Sequence, residues 1–381
     1  PRQAQRRAAA VRRAAQQNPA VAQLAQRRRG LNENYARELM ELHTLGVDGG
    51  YTQQDVIEVA RALTGWTLER GAQGGDFVFR PMVHDAGAKV ILGQKFPAGR
   101  GQEEGEQVLD LLARHPSTAR FIATKLARRF VSDTPPAALV ERAAATFRRT
   151  DGDIRETVRT IVTSPEFFST AAYRAKVKSP FELVTSTLRA LGARPDAAPR
   201  GGPLVAQLVG RLGQPLYGHQ APNGWPETGD AWMNTGAILN RINFGLTVAS
   251  GRVPGVRLAQ WPAAASLNAL PREQQVDGVI RELLGGQASA DTRQVLLTGT
   301  NPFLAARGGA SDSLLVSDDD RMMTPPATPP ATGSTPPARL QQRGGRGAAA
   351  AAAMMTAPGA PPAGLAQIVG LALGAPEFQR R

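Results

Sequence analysis

Cysteine is absent from the 381 residues, which excludes a disulfide framework and any thiolate metal site. It leaves the compartment open, because exported proteins also manage without it. Histidine, tyrosine and tryptophan are scarce at four each, so a site built on those residues has few to draw on. No run approaches the ~20 apolar residues of a membrane-spanning helix. No secretory signal is visible, and because the sequence opens on Pro1 without a Met, the expectation is that residues before it are missing. There is no serine elbow, no HExxH, no GxxxxGK[ST] and no GxGxxG with a matching acid, so nucleophilic, zincin and nucleotide chemistry have no positive support.

What is abundant is arginine, alanine, glycine and proline. The formal charge is +13, and residues 1–30 hold eight arginines (Arg2, Arg6, Arg7, Arg12, Arg13, Arg27, Arg28, Arg29) with no acid, so more than half of the excess sits in one arm. A basic face can neutralise phosphates and release counterions. Charge alone is a weak signal, however, and the Ala-rich spacing of residues 4–25 fits a solvated helix better than a recognition module, so nucleic acid is not the expected partner.

The stretch Gly30 to Trp66 organises the rest. Asn32 or Asn34 can cap a helix over residues 33–45, with Tyr35, Leu39 and Leu42 as its buried stripe and Gly46 closing it in the left-handed conformation. Thr52 and Asp55 form a capping box for a second helix bearing Val56, Val59, Ala60 and Leu63, stopped by Gly65. On the first helix Asn34, Glu38 and Glu41 share one face at i, i+4, i+7. Two readings stand for them. They can be metal ligands or an acid/base pair, or Glu38 and Glu41 can be ion-pair partners of Arg37 and Arg61 that lock the two helices. The weakness of short carboxylate spacings as motifs favours the lock. His43 falls on the apolar side and reads as a hydrogen-bonded core histidine.

Further along, Asp76–Phe79 and Lys89–Leu92 flank His84-Asp85-Ala86-Gly87, which reads as a β-hairpin with an exposed polar turn. That turn either presents His84 and Asp85 to a metal or substrate, or is a plain turn in which Asp85 bonds its own backbone and Gly87 takes a positive φ. Helix then follows helix. Pro116 opens one with Phe121, Ile122, Leu126 and Phe130 inside, Asp153 caps another, and Ser179-Pro180-Phe181-Glu182 is a full capping box. Between Leu212 and Phe244 an irregular segment carries Tyr217, His219, Asn223, Trp225 and Trp232. Tyr217, Asn223, Trp225 and Trp232 could form a carbohydrate platform, but tryptophans in a proline-broken loop more often anchor that loop to the core. Ile238, Leu239, Ile242 and Leu246 then form an apolar stripe with Arg241 beside it. Residues 301–363 are Pro-, Ala- and Gly-rich and read as a disordered insertion. Residues 364–381 resume an amphipathic helix whose end, APEFQ, echoes IVTSPEFF at Ile161–Phe168.

The expected architecture is therefore all-α: a multi-helix orthogonal array built on the N-terminal helical hairpin, with one short β-hairpin. Its parts are an Arg-rich helical arm (1–30), a helical core (31–300), the insertion (301–363) and a C-terminal helix returning to the core (364–381).

The run NENYARELMELHTLGVDGGYTQQDVIEVARALTGW resembles the signature of the domain-of-unknown-function 1800 family. So do HDAGAKVILG, HPSTARFIATKLARRFVSDTPP and LGQPLYGHQAPNGWPETGDAWMNTGAILNRINF, so that the likeness covers most of residues 31–250. The resemblance implies a helical, often exported protein, periplasmic or secreted, without an established activity. It also implies a neighbour: members are frequently encoded beside the domain-of-unknown-function 1501 family, whose members look like sulfatase or phosphatase relatives. Three function classes follow. The first is a scaffold or partner of that neighbour. The second is a metal-dependent hydrolase in which a divalent ion held by Asn34, Glu38, Glu41, His84 and Asp85 activates water. The third is a glycan or polyanion binder. The scaffold is preferred.

Overall fold

The computed structural model describes residues 31–69, 75–194, 201–253, 255–300 and 362–381. The expectations for the arm at 1–30 and for nearly all of the insertion lie outside these residues. The chain divides into two compact units, Pro1–Tyr173 with Gln220–Gly224, and Arg174–His219 with Trp225–Arg381. The single core drawn from the sequence over 31–300 thus falls into two parts, and the C-terminal helix belongs to the second. The class is mostly helical, as expected. Among the described residues no helix is long and apolar enough to cross a membrane.

In the first unit, Asn32 accepts from Tyr35 N at 3.0 Å and caps α1 (Glu33–Glu38). The helix continues as a π-helical turn over Leu39–Thr44. There the N–H groups of Leu45 and Gly46 both reach the Met40 carbonyl, at 2.7 and 3.2 Å, and the Thr44 hydroxyl donates to the Leu39 carbonyl at 2.7 Å. The wider turn shifts the helical phase. The buried residues are Ala36, Met40 and Leu45, whereas Tyr35 is exposed and Leu39 and Leu42 are half-buried, which corrects the expected stripe. His43 is exposed, not a core histidine.

Helix α2 (Gln53–Ala62) carries the expected capping box and buries Val56, Val59 and Ala60. The two helices are tied by a chain of side chains: Gln53 donates to Glu33 at 3.1 Å and accepts from Arg37. Tyr51 donates to Glu41 at 3.2 Å. The lock exists, but its partners differ from those expected, because Arg61 points elsewhere.

The β structure is also arranged differently. β1 (Trp66–Leu68) pairs antiparallel with β2 (Phe77–Phe79), and β3 (Lys89–Ile91) pairs with β4 (Gln94–Phe96). The segments on either side of His84 therefore belong to two separate two-stranded sheets and not to one hairpin. The β3–β4 turn needs two left-handed residues, Leu92 (φ +50°) and Gly93 (φ +80°). Leu92 N donates to Asp55 Oδ1 at 2.7 Å, so the carboxylate that closes the α2 capping box also holds this strained turn.

Helices α3 (Gln102–Arg114), α4 (Pro116–Phe130), α5 (Ala137–Arg149) and α6 (Ile154–Val162) complete the unit. The buried face of α4 is Ala119, Ala123 and Ala127, against Leu139, Phe147 and Ile161; Phe121, Ile122 and Leu126 are only partly buried and Phe130 is exposed. Small residues let these helices approach closely, so the larger side chains sit on the flank.

The second unit contains α7 (Pro180–Ala190), α8 (Gly201–Arg211), α9 (Thr235–Ala249), α10 (Ala264–Leu267), α11 (Arg272–Leu283), α12 (Ala290–Thr298), α13 (Gly364–Gly374) and α14 (Pro376–Gln379). Its core joins Leu183, Val184, Phe244, Val248, Ile368 and Phe378. The chain end is sewn to residues 176–178 by an antiparallel bridge, with Lys178 N donating to Gln379 O at 2.9 Å and Arg381 N to Lys176 O at 2.8 Å. Both Pro-Glu-Phe ends turn their phenylalanine back onto a core: Phe167 packs against the α4–α6 cluster, and Phe378 is buried in the second unit.

Candidate functional site

Gly65 (φ +86°) turns the chain out of α2, and a Cβ there would meet Arg80 O at 2.9 Å and His84 Cβ at 3.2 Å. Its bare backbone lets the His84 segment close onto the helix end. His84 Nδ1 lies 2.8 Å from Thr64 O, and Asp85 N donates to Thr64 Oγ1 at 2.7 Å. Because the Thr64 hydroxyl gives its own proton to Arg61 O at 2.6 Å, Nδ1 must be the donating nitrogen of the imidazole.

Lys89 opens β3 with its side chain fully buried. Its Nζ donates to Asp85 O at 2.5 Å and Gly87 O at 2.9 Å, and stands 2.6 Å from Glu104 Oε2. Glu104 sits in the first turn of α3, where the helix dipole favours a carboxylate, with its side chain 1% exposed. Its contact with Lys89 is an ion pair by distance, although it lacks hydrogen-bond geometry. His84 Nε2 is 3.5 Å from the same oxygen and has no hydrogen-bond partner.

On the outer side of the cluster, Arg61 grips Asp85 with two bonds (Nε–Oδ2 2.8 Å, Nη2–Oδ1 3.1 Å) and reaches Glu58 at 2.5 Å. The Arg61 hydrogen bond holds the Asp85 carboxyl down to about 2, below its usual 3.8, against the opposing effect of burial. Glu58 also accepts from Gln54 at 2.7 Å. Asp85 accepts from Gly87 N at 3.0 Å, so it does bond its own turn, but Gly87 keeps an ordinary φ. The turn does not present its imidazole to solvent: the His84 side chain is 3% exposed. In chemical terms, this cluster is a staple that ties the His84 turn to α2 and α3 through compensated charges.

Of the residues singled out in the sequence, His84 and Asp85 belong to this cluster. Asn34 is exposed, Glu38 and Glu41 are half-buried, and among the described residues no hydrogen bond or ion pair joins these three to His84 or Asp85. Nor, among the described residues, are three or more His, Asp or Glu side chains gathered closely enough to hold a metal ion. The cation position beside Glu104 is taken by Lys89.

Sequence reasoning missed Glu104 and Glu58. The available signal for Glu104 was its place in a helical first turn just before Gly105, a residue pressed under Trp66, where a Cβ would meet the indole at 2.5 Å.

The aromatic segment divides too. Trp232 is buried and donates from Nε1 to Pro226 O at 3.1 Å, and half-buried Trp225 lies between it and His219, with ring centroids 6.0 and 4.7 Å apart. That is loop anchoring. Tyr217 is fully exposed at a left-handed φ of +58°, and Asn223 falls in the other unit, so the four residues do not form one platform within either unit.

Fold and cluster together define a class: a mostly helical protein whose first unit encloses a Lys–Glu–His core under paired helices and two small sheets. The family model described as "Protein of unknown function (DUF1800)" matches residues 8–380, and the chain belongs to that family. No curated protein and no solved structure matches it.

Proposed function

We propose that this protein is a non-catalytic, extracytoplasmic binding partner of a sulfatase- or phosphatase-like protein of the domain-of-unknown-function 1501 family. The observation that supports a binding role is an apolar rim on the first unit. Tyr35, Leu68, Phe77 and Val83 are 57%, 63%, 48% and 65% exposed, and all four line one cavity of about 540 Å³. Large apolar side chains left in water around a concavity mark docking surfaces. The polar groups beneath are committed to one another, which argues for recognition by this rim over chemistry by the cluster. Partner identity and compartment rest on the family resemblance.

Co-expression with the neighbouring protein, followed by size-exclusion chromatography, tests the reading. Co-elution is expected for the unaltered chain and is expected to be lost in Leu68→Glu and Val83→Glu variants that keep their circular dichroism. Separate elution of the two unaltered proteins, or a complex that survives both substitutions, defeats it.

A further inference from the structure

Helix α9 of the second unit packs with an unexpected face. Its buried residues include Arg241, Phe244, Gly245 and Val248, while the apolar ladder Ile238, Ile242 and Leu246 is only partly covered or exposed and lines a cavity of about 840 Å³ together with Val295, Leu371 and Arg241. This volume falls within the roughly 300–1,000 Å³ of small-molecule sites.

Arg241 is 3% exposed. Its Nη1 donates to Gln379 Oε1 and its Nη2 to Lys178 O, both at 2.7 Å. Both acceptors are neutral, two of its five N–H groups are used, and among the described residues no carboxylate pairs with it. Burial lowers the guanidinium to about 10. The nearby acids are engaged elsewhere: Glu182 pairs with Arg381 at 2.9 Å, and Glu377 accepts from Ser289 N at 2.8 Å and Thr292 Oγ1 at 3.0 Å. Lys178, whose carbonyl holds Arg241, is itself a desolvated cation, its Nζ 3.9 Å from the Phe378 ring centroid. A buried cation without a counter-charge is costly, and an entering anion relieves that cost.

We propose that this cavity binds an amphipathic monocarboxylate, a fatty-acid-like molecule whose carboxylate pairs with Arg241 and whose chain lies along Ile238, Ile242 and Leu246. A guanidinium offers a planar carboxylate two parallel donors. A dianionic phosphate head is disfavoured because there is one guanidinium to answer it and Asp291 also lines the cavity.

Isothermal titration calorimetry of the full chain with dodecanoate, dodecyl phosphate and dodecanol, each below its micelle concentration, decides the matter. Saturable binding of dodecanoate is expected, at least about tenfold tighter than dodecanol, with dodecyl phosphate weaker than dodecanoate. Arg241→Met is expected to erase the preference for dodecanoate over dodecanol. Ile242→Trp, which fills the cavity without touching the charge, is expected to weaken dodecanoate by at least about tenfold, and it keeps the test alive if the arginine variant does not fold. No saturable binding, equal affinity for acid and alcohol, tighter binding of the phosphate, or undiminished binding by the folded Ile242→Trp variant would each overturn the proposal.

Discussion

Lys89 shows how much a single side chain can be asked to do. It neutralises Glu104 in a place where neither side chain exceeds 1% exposure, and it caps two carbonyls of the His84 turn. Removing one member of such a pair leaves the other charge stranded in a low dielectric, whereas removing both replaces an ionic core with an apolar one. Lys89→Met is therefore expected to destabilise the protein by about 3–5 kcal/mol, and Lys89→Met combined with Glu104→Leu to recover a large part of that loss, as read from urea unfolding of the two variants. If the double variant proves as unstable as the single one, the two carbonyls capped by Lys89 matter more than the charge of Glu104. The surrounding residues illustrate the same economy: Asp55 closes a helix cap and holds Leu92, while Asp85 answers both Arg61 and its own turn.

At the scale of elements, glycine sets how closely helices meet. On α9, a Cβ at Gly245 would lie 2.5 Å from the carbonyl oxygen of Gly370 on α13, while one at Gly236 would meet only Asn234 Oδ1, at 3.6 Å. The same chemical change in the same helix thus has opposite expected signs. Gly245→Ala must push α13 away and is expected to cost about 1–3 kcal/mol. Gly236→Ala meets only ordinary contact and is expected to add about 0.4–1 kcal/mol by restricting the unfolded chain. Thermal unfolding of the two variants side by side checks the pair, and equal effects would mean that α9 and α13 do not pack at these glycines. The π-helical turn of the first helix has a comparable role, since by one extra residue per turn it takes Tyr35 out of the core and puts it on the apolar rim.

For the whole molecule, the division at Tyr173 and Arg174 makes a thermodynamic demand. The apolar clusters around Met40 and Phe147 lie in the first unit and the large cluster around Phe244 and Ile368 in the second. Units with separate cores unfold separately unless their interface is large and apolar. Calorimetry is expected to resolve two transitions, with Lys89→Met lowering one and Gly245→Ala lowering the other. A single transition lowered by both would show that the two cores unfold as one.

By itself the sequence determined the family, the helical class and the local devices: the capping boxes at Thr52 and Ser179, the cap at Asp153, Pro116 at a helix start, the closing Gly46. These depend on bonds within a few residues, so their signal is short-range and survives without a structure. Tertiary structure decided which face of each helix goes inward and which distant groups meet. Nothing near Tyr173 or Arg174 has the proline or glycine of a linker, so the unit boundary was not legible. Glu104 reads as one more solvated acid until α3 is laid over the Lys89 strand, and Arg241 reads as a surface arginine until the chain end bonds it through Gln379. Desolvation of a charge is set by neighbours far away in sequence, and that is why the buried charges came from the fold while the helix ends came from the residues.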